Sequence, residues 1–540
     1  MIFKSKILYF SILFASCNSR PVVDSIYYNG HVYTVDSTFN IAEAFAVKDG
    51  KIFDTGSNEE LLLYKAKNKV DLHGKFVYPG FIDAHCHFYY YGLGLKNIWL
   101  GGTKSFDAVV DTINKYKDRM SMGWISARGW DQNDWAIKAY PVKNKLDELF
   151  PDVPVFLMRI DGHAALVNQK ALEIANVTAS TKIDGGEIIL KDGKPTGLLI
   201  DNAVDLVNNK IPKPSKANQS EAVLSAQKNC FAVGLTTVDD AGLDHEVIEL
   251  IDQLQKDGSL KMRIYAMITY DSLNAAYYFK KGKYKSERLN VCSFKLYADG
   301  ALGSRGAYLL SPYTDMPGHT GLLINNKDSL LQKAKDAAKY GFQLNTHCIG
   351  DAANRIMLNI YHVALNGKKD HRWRIEHAQV VAPEDLTLFQ NDQIIPSVQP
   401  THATSDMYWA EERLGPVRIK SAYAYRDLMN QNNIIADGSD FPVEDINPLF
   451  GFYAAVVRKD KNNFPAEGFQ MQNALTREEA LKAMTIWAAY ANFEEKEKGS
   501  LEKNKFADFV ILEDDIMKCA PEKIYRMKII GTYLYGEKVY

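Results

Sequence analysis

The sequence predicts an α/β fold: a distorted (β/α)8 barrel of the TIM type, with a composite β-sandwich domain formed by the two chain ends. Three observations support this prediction. Short apolar runs alternate with helical patterns through the middle of the chain, which is typical of parallel strands connected by helices. Both chain ends carry short alternating runs that predict β-strands. Residues that bind metals follow several of the middle runs, where the active site of a parallel barrel gathers.

Composition places the chain among globular proteins. Its 540 residues are 46% hydrophobic and 24% charged, and the formal net charge is -2. A nucleic-acid-binding surface requires clustered basic charge, which this balance does not indicate. We therefore expect a small-molecule substrate and no nucleic-acid partner, while the composition leaves homodimerisation open.

The N-terminus predicts a secretion signal. Two lysines precede an apolar run over residues 7–15, and Cys17 follows it. Residues 1–16 therefore predict a signal peptide, and residues 17–23 a linker after a lipidated Cys17. The apolar run is too short to span a bilayer as a helix. We expect export to the bacterial periplasm or cell envelope, with a lipid anchor as the only membrane attachment. An ordinary cleaved signal with an incidental cysteine is the alternative.

Strand patterns divide the rest of the chain. Residues 24–78 and 500–540 predict the two parts of the composite β domain, and residues 79–499 predict the barrel. An Asp-Gly pair at 49–50 predicts a hairpin turn, because these residues tolerate positive φ. The strand–helix rhythm is interrupted over about residues 95–225. This stretch predicts an insertion between the first and second barrel strands that caps the barrel mouth.

Three further predictions concern local structure. Residues 477–491 carry one helical pattern, and the charged run 494–505 predicts a solvated loop. The five cysteines after Cys17 include no CxxC pair. We expect these cysteines to be buried free thiols rather than a disulfide framework.

Residues of metal-ligand type stand at the ends of the middle runs. They are His85, His87, Lys295, His347, His377 and Asp440. A lone histidine is more often a hydrogen-bonded core residue than a ligand, and the His85-Cys86-His87 pattern alone is a weak signal. The shared placement at strand ends predicts one metal centre at the barrel mouth. Imidazoles with a carboxylate suit zinc.

Lys295 and Asp440 each have more than one interpretation. A protonated lysine is a poor ligand, but a buried lysine that reacts with CO2 forms a carbamate, which can bridge two metal ions. The alternative for Lys295 is a buried salt bridge to Asp440 or Asp299. Asp440 can be a ligand, a base that moves a proton from water to the leaving nitrogen, or both.

Seven motifs surround these residues: PGFIDAHCHF, GLTTVDDAG, KLYADGALGSR, THCIGDAANR, RIEHAQ, PSVQPTHATSD and ADGSDFPVEDINP. Together they resemble the amidohydrolase superfamily, and within it the amidohydrolase-3 branch that includes proteins similar to N-substituted formamide deformylase. The resemblance runs from about residue 24 to the C-terminus. It implies the barrel, the composite β domain and one or two divalent metal ions. The family's ligands on strands one, four, five, six and eight match His85 and His87, Lys295, His347, His377 and Asp440.

The resemblance also implies a reaction. A metal-dependent amidohydrolase cleaves a non-peptide C–N bond of a small molecule, such as an amide or a substituted formamide, with hydroxide that bound metal generates from water. The lysine of the fourth strand is often carboxylated in the family, so we expect a carboxylated Lys295. A deaminase or an ester or lactone hydrolase is an alternative, because fold does not determine substrate. A non-catalytic lipoprotein that binds a small ligand is a further alternative, which the complete ligand set disfavours.

Five other residues are candidate substrate contacts: His163, Arg305, Gln399, His402 and Trp130. His163 lies in the predicted insertion, and Arg305 follows the strand of Lys295. Gln399 and His402 follow the predicted seventh strand. Each has a structural alternative, such as a packed histidine, a salt-bridged arginine or an aromatic residue used for packing.

Overall fold

The computed structural model describes residues 21–119 and 123–540. The predicted signal peptide at 1–16 and the predicted lipidation site Cys17 lie outside the described residues, as does most of the predicted linker at 17–23. Strand β1 begins at Val22. Within the described residues, no helix is long and apolar enough to cross a lipid bilayer.

The N-terminal segment contributes strands to two sheets. Its elements are β1 (Val22–Tyr28), β2 (His31–Tyr33), β3 (Ile41–Ala42), β4 (Ala44–Lys48), β5 (Lys51–Gly56), α1 (Asn58–Leu61), β6 (Lys65–Asp71) and β7 (Phe76–Pro79). One sheet has the order β5-β4-β1-β6. The predicted hairpin joins β4 to β5, and Asp49 and Gly50 adopt positive φ values of 51° and 72°.

The first barrel strand is followed by a separate sheet. Strand β8 (Phe81–Cys86) belongs to the barrel and leads into α2 (Phe88–Gly94). The inserted elements are β9 (Ile98–Trp99), α3 (Phe106–Tyr116), β10 (Ile125–Trp130), α4 (Asn144–Leu149), β11 (Val155–Arg159), β12 (Ala164–Val167), α5 (Gln169–Ala175), β13 (Gly186–Lys191), β14 (Lys194–Asp201) and α6 (Asn202–Asn208). They form a six-stranded sheet of order β13-β14-β12-β11-β10-β9.

The barrel resumes after the insertion. Its first half contains α7 (Lys216–Ala232), β15 (Leu235–Leu243), α8 (His245–Lys256), β16 (Arg263–Thr269), α9 (Ser272–Lys281), β17 (Tyr284–Lys285), β18 (Leu289–Tyr297) and α10 (Lys327–Tyr340). Its second half contains β19 (Gln343–Cys348), α11 (Asp351–Leu365), β20 (Arg374–His377), α12 (Leu386–Asp392), β21 (Ile395–Val398), α13 (Pro400–Asp406), α14 (Ala410–Arg418), α15 (Tyr425–Asn432), β22 (Ala436–Asp437), α16 (Pro448–Val457), α17 (Arg477–Ala483) and α18 (Ile486–Ala491).

Eight parallel strands form a nearly closed barrel. Their order is β8-β15-β16-β18-β19-β20-β21-β22. The strands are buried along their length because helices cover the outside; α8, for example, buries Ile248, Ile251 and Leu254. Backbone bonds beyond the end of β22 bring the last strand to the first: Asp440 N donates to His85 O at 2.7 Å, and His87 N donates to Phe441 O at 2.9 Å.

Strands from both chain ends share one sheet. The C-terminal elements are β23 (Phe509–Leu512), α19 (Pro521–Ile524), β24 (Ile529–Leu534) and β25 (Glu537–Lys538). The sheet order is β25-β24-β23-β7-β2-β3, with β23 antiparallel to β7. The predicted fold class is therefore confirmed: a distorted barrel, with sheets formed by the chain ends and an insertion after the first barrel strand.

Two local predictions are wrong. The helical pattern over 477–491 forms two helices, because Thr485 adopts a φ of -139° and a ψ of -97°, and its hydroxyl donates to Leu481 O at 2.5 Å. The charged run 494–505 is partly buried rather than solvated, since Glu494 and Lys498 pair at 2.6 Å with both side chains nearly covered. The cysteine prediction is confirmed: all five described cysteines are free thiols, and four are buried.

Candidate metal centre

The carboxyl ends of the barrel strands bring the six predicted ligands together. His85 and His87 stand at the end of β8, and Lys295 lies two residues before the end of β18. His347 and His377 stand at the ends of β19 and β20. Asp440 lies just beyond β22. All are buried except His87, which is half-buried. The position of these residues follows from the parallel topology, in which every strand points its carboxyl end to the same face.

His85, His87 and Asp440 form a first group. Their ligand atoms lie within 4.8 Å of one another. Asp440 Oδ1 is 3.2 Å from His87 Nε2 and 3.7 Å from His85 Nε2, and the two imidazole planes are nearly perpendicular at 89°. Two perpendicular imidazoles and a carboxylate that converge on one point suit a cation with tetrahedral coordination, such as zinc.

A second group shares Asp440 with the first. Its other members are His377 and His402, again with ligand atoms within 4.8 Å. His402 Nε2 is 3.5 Å from Asp440 Oδ2, while its Nδ1 bonds Glu444 Oε1 at 3.0 Å. A carboxylate on one ring nitrogen orients the other nitrogen of a ligating histidine. The sequence predicted His402 only as a substrate contact, whereas the structure places it among the candidate ligands.

Lys295 and His347 lie beside these groups. Lys295 Nζ is 3.1 Å from His85 Nε2 and 4.8 Å from the Tyr297 ring centroid. No carboxylate oxygen of a described residue lies within 4.0 Å of this amine, so the structure forms no salt bridge from Lys295 to Asp440 or Asp299. The His347 ring packs edge-to-face against His377 with ring centroids 4.5 Å apart, and its Nε2 lies 3.4 Å from Gly300 O.

The backbone is strained at two of these residues. His377 has a φ of 72° and Asp440 a φ of 60°, in the left-handed region that residues other than glycine seldom adopt. Such strain concentrates at functional sites, where the surrounding structure holds it in place. At Asp440 the holding contacts include the backbone bond to His85 O and the bonds of Ser439 to Asp83.

Burial keeps most of the basic groups in their neutral form. Burial, with the nearby Lys295 charge, lowers the pKa of His85 to about 4. Burial also holds the pKa of His347 and His377 well below the ordinary value, and lowers the pKa of Lys295 to about 8. A neutral imidazole offers a lone pair, so these side chains are prepared to bind a cation.

The pKa shifts of Asp440 and His402 favour the charged form of each side chain instead. Burial alone would raise the pKa of Asp440, but contacts with His402 and His87 hold it well below its ordinary value. Burial opposes protonation of His402, yet Asp440 and Glu444 raise its pKa to about 10. At the barrel mouth, an ionised Asp440 carboxylate therefore faces a protonated His402.

A buried ionic network supports His85 from behind. His85 Nδ1 bonds Glu376 Oε2 at 2.5 Å, and Arg374 Nε donates to Glu376 Oε1 at 2.6 Å. Arg374 also donates to Asp239 Oδ2 at 3.0 Å. Despite burial, Arg374 and His85 lower the pKa of Glu376 to about 2. We did not predict this network from the sequence; its signal is the pair of charges, Arg374 and Glu376, inside a short apolar strand.

The donor set fits a divalent cation. Asp440 Oδ1 and His377 Nδ1 are both buried without a hydrogen-bond partner among the described residues. Buried polar atoms normally have partners, and a lone pair without one is costly. Cation binding at these atoms would satisfy them, and the neutral imidazoles require no proton to leave. His85, His87, His377 and Asp440 are therefore the residues that would hold the ion, while His402, with its raised pKa and its Nε2 3.5 Å from Asp440 Oδ2, holds the carboxylate.

The remaining predicted substrate contacts divide into two kinds. His163 stands over the site, with its ring 4.9 Å from His347 and its Nδ1 2.7 Å from Asp201 Oδ1. Gln399 is buried directly after β21, and neither of its side-chain polar atoms has a partner in the part of the chain that the structure describes. Arg305 instead pairs with Asp315 at 2.7 Å. Trp130 packs in the core of the insertion, and its Nε1 donates to Leu157 O at 2.8 Å.

Comparison with known proteins agrees with this geometry. The sequence profile of the Amidohydrolase family matches residues 69–540. The chain belongs to the amidohydrolase family. The predicted resemblance is thereby confirmed, and the protein is a metal-dependent hydrolase of this family with His and Asp groups as candidate metal ligands.

Amidohydrolase-family relatives cover nearly the whole chain. Protein LONG AFTER FAR-RED 3 of Arabidopsis thaliana is 34% identical over 96% of this chain and 92% of that protein. Putative amidohydrolase YtcJ of Bacillus subtilis (strain 168) is 31% identical over 96% and 99%. N-substituted formamide deformylase of Arthrobacter pascens is 25% identical over 95% and 97%. An uncharacterized metal-dependent hydrolase of Pyrococcus horikoshii superimposes with a TM-score of 0.75 at 26% identity, over 92% of this chain and 99% of that one.

Proposed function

We propose that this amidohydrolase cleaves a non-peptide C–N bond in a small molecule, an amide or a substituted formamide. The observation that carries the proposal is the convergence of His85, His87, His377 and His402 on one shared carboxylate, Asp440. Similarity to an N-substituted formamide deformylase over most of both chains supports the choice of a C–N bond. The donor set also supports zinc, in one or two copies, as the metal.

In this proposed reaction, Asp440 and His402 have different roles. The bound ion supplies Lewis acidity toward the carbonyl oxygen and the attacking water. Asp440 Oδ1, which has no hydrogen-bond partner among the described residues, takes the proton of the attacking water and delivers it to the departing nitrogen. His402 holds the other carboxylate oxygen, so that Oδ1 stays directed at the reacting atoms.

Lys295 is the residue proposed to carry a carboxylate modification. Its amine is buried next to His85 and has no acidic partner within ion-pair distance among the described residues. Burial lowers the pKa of Lys295 to about 8, so the neutral amine is accessible near neutral pH. Its nitrogen would add to the carbon of CO2 and release one proton to solvent, giving an anionic carbamate beside the same histidine. Lys295→Ala should then abolish activity, with partial recovery on addition of a short carboxylic acid. Full activity in the unsupplemented variant would exclude the ligand role.

His163 is proposed to contact the substrate carbonyl. Its Nδ1 is occupied by Asp201, which leaves Nε2 for the substrate, and its ring lies beside His347 at the mouth. The insertion thus places a hydrogen-bond donor over the barrel strand ends.

Export and a lipid anchor at Cys17 remain part of the proposal. The Cys17→Ala variant should move the protein from the membrane fraction to the soluble fraction.

The decisive experiment joins metal analysis to a substrate panel. We expect about one or two equivalents of zinc in the purified protein, loss of activity on chelation, and recovery on readdition of zinc. A panel of formamides and acetamides, with aminopurines and esters as controls, should show turnover of the amides. Amide hydrolysis that survives complete metal removal, or turnover confined to the controls, would refute the proposal.

A further inference from the structure

The insertion places one arginine beside the metal centre. Arg128 lies near the end of β10, next to Met158 on the neighbouring strand β11. Its Nη2 donates to Ile160 O at 3.0 Å. Ile160 leads directly into Asp161-Gly162-His163, the turn that covers the barrel mouth. Arg128 is thus attached to the turn that holds His163 beside His347.

The packing of this turn depends on glycine. Gly162 has a φ of 76°, and a Cβ built on it would lie 3.4 Å from Arg128 Nη2. The guanidinium therefore lies directly under the turn. The ring of His163, on the same turn, lies 4.9 Å from the ring of His347. The turn therefore brings the guanidinium close to the candidate ligands.

Most N–H groups of the Arg128 guanidinium have no partner among the described residues. A guanidinium has five N–H donors, and among the described residues Ile160 O is the one acceptor that this guanidinium binds. Its Nε is buried without a partner, and no carboxylate oxygen of a described residue lies within 4.0 Å of it. Arg128 is half-buried and its Nε is fully buried, so a ligand carboxylate would supply the counter-charge that the described residues do not.

The other arginines around the mouth differ in this respect. Arg159 pairs with both Asp131 and Asp161, and Arg305 pairs with Asp315, which also binds Arg413. These cations are neutralised by the protein. Arg128 contacts the same turn through Ile160 O and has no such neutralisation among the described residues.

We propose that Arg128 binds a carboxylate of the substrate, so that the hydrolysed compound is an amide that carries a carboxylate near the scissile C–N bond. This inference rests on the proposed function and names the substrate class for it. The planar guanidinium matches a carboxylate with two parallel hydrogen bonds, which gives orientation as well as affinity. His163, on the same turn, is then positioned for the carbonyl while Arg128 holds the acid.

Matched pairs of substrates test the inference. N-formyl and N-acetyl amino acids are compared with the amino alcohol analogues in which CH2OH replaces the carboxylate, and release of formate or acetate is measured. The wild type should prefer the acids by about 100-fold in kcat/KM, because the neutral analogue leaves the half-buried arginine without a partner. Arg128→Gln should lower kcat/KM for the acids by about 100-fold and for the alcohols by less than about 3-fold. Arg128→Lys should recover only part of the preference, since an ammonium lacks the planar fork.

Arg305→Gln is the matched control. It removes a cation near the same mouth, but one that Asp315 already neutralises, and Asp315 keeps Arg413 as a partner. This variant should retain the wild-type preference. If Arg305→Gln loses the preference and Arg128→Gln keeps it, or if Arg128→Gln slows acids and alcohols equally, the inference is wrong.

A binding measurement keeps the test independent of turnover. Calorimetric titration of zinc-loaded protein with N-acetylglycine and N-acetylethanolamine should show that Arg128→Gln weakens binding of the acid about 10- to 100-fold and leaves the alcohol unchanged. Equal affinity of wild type and variant for the acid would overturn the inference. Failure of the proposed function would look different: no amide is hydrolysed by any variant. Hydrolysis of neutral amides alone would remove only the role of Arg128.

Discussion

The two ends of the barrel both bury charged side chains, but they treat them differently. At the amino end of the strands, Arg263 on β16 binds Asp508 through two bonds, and also Glu287 O and the Tyr535 hydroxyl. Its guanidinium lies over the rings of Phe506 and Tyr535 at 3.9 and 4.2 Å. At the carboxyl end, Asp440 Oδ1, His377 Nδ1 and Arg128 Nε have no partner among the described residues.

The difference shows how this chain separates stability from function. The Arg263 cluster connects the barrel to the sheet formed by the chain ends, and its charges are satisfied within the protein, so the cost of burying them is offset. The mouth leaves lone pairs and charge unmatched, which lowers stability until a cation and a substrate supply the missing partners. In parallel barrels, the amino end of the strands serves stability and the carboxyl end serves function. Four predictions test this division.

The largest effect is expected from Asp440→Asn. The amide cannot accept the proton of the attacking water, so kcat should fall by at least about 1,000-fold. The unfolding free energy of the metal-free protein should fall by no more than about 1–2 kcal/mol, because the amide loses the charged contacts with His402 and His87 but His402 keeps Glu444 as a partner. Steady-state kinetics and denaturant unfolding of the same preparation measure both quantities. Loss of several kcal/mol of stability in this variant would contradict the division.

Asp508→Ala should produce the reverse pattern. It leaves Arg263 buried without its counter-charge, and breaking such a pair costs about 3–5 kcal/mol of unfolding free energy. Turnover per folded molecule should stay within about 2-fold of the wild type. Chemical denaturation, with activity normalised to the folded fraction, makes the comparison. A stable but inactive variant would show that the two ends are coupled.

Glu376→Gln tests the network that supports His85. The amide keeps the shape but weakens the bond to His85 Nδ1 and leaves Arg374 with one carboxylate, Asp239. Loss of such a supporting carboxylate typically weakens metal affinity about 10- to 100-fold. Competition titration with a zinc chelator measures the affinity directly. The Glu495→Gln variant, which breaks the half-exposed pair with Arg372, is the control and should bind zinc like the wild type.

The smallest effect on unfolding free energy is expected at a partly exposed ion pair, Glu479 with Arg426. Glu479 binds Arg426 and accepts a bond from the backbone of Thr476, which caps α17, and these contacts outweigh burial and lower its pKa to about 2 from an ordinary 4.5. Glu479→Gln should cost about 0.5–1 kcal/mol near pH 7, because solvent screens the pair. A depressed folded pKa stabilises above pH 4.5 and loses that contribution as the pH falls toward 2. The difference in unfolding free energy between wild type and variant should therefore shrink between pH 5 and pH 3.

Particular residues show how far sequence reasoning reached. His85, Lys295, His347, His377 and Asp440 were predictable because each stands at the end of an apolar run, and parallel topology carries all such ends to one face. The break at Thr485 was not predictable, since a side-chain bond to the backbone competed with an otherwise continuous helical pattern.

The roles of His402 and Arg128 depend on tertiary structure. His402 joins Asp440 because Glu444, on the next loop, orients its ring. Arg128 reaches the mouth because a strand of the insertion pairs with β11 and brings the Ile160 turn over the barrel. Neither contact leaves a periodic pattern in the sequence, as both depend on the paths of loops that are distant along the chain.

The sequence by itself determined the barrel, the family and the chemical types gathered at the strand ends, because hydrophobic period and strand order act locally and repeat. Only the tertiary structure decided which buried groups are satisfied and which are left open. That outcome depends on distances of a few ångströms between side chains hundreds of residues apart, such as His85 and Glu376 at 2.5 Å. The unmatched atoms around Asp440 and Arg128 are where the proposed metal and substrate would bind.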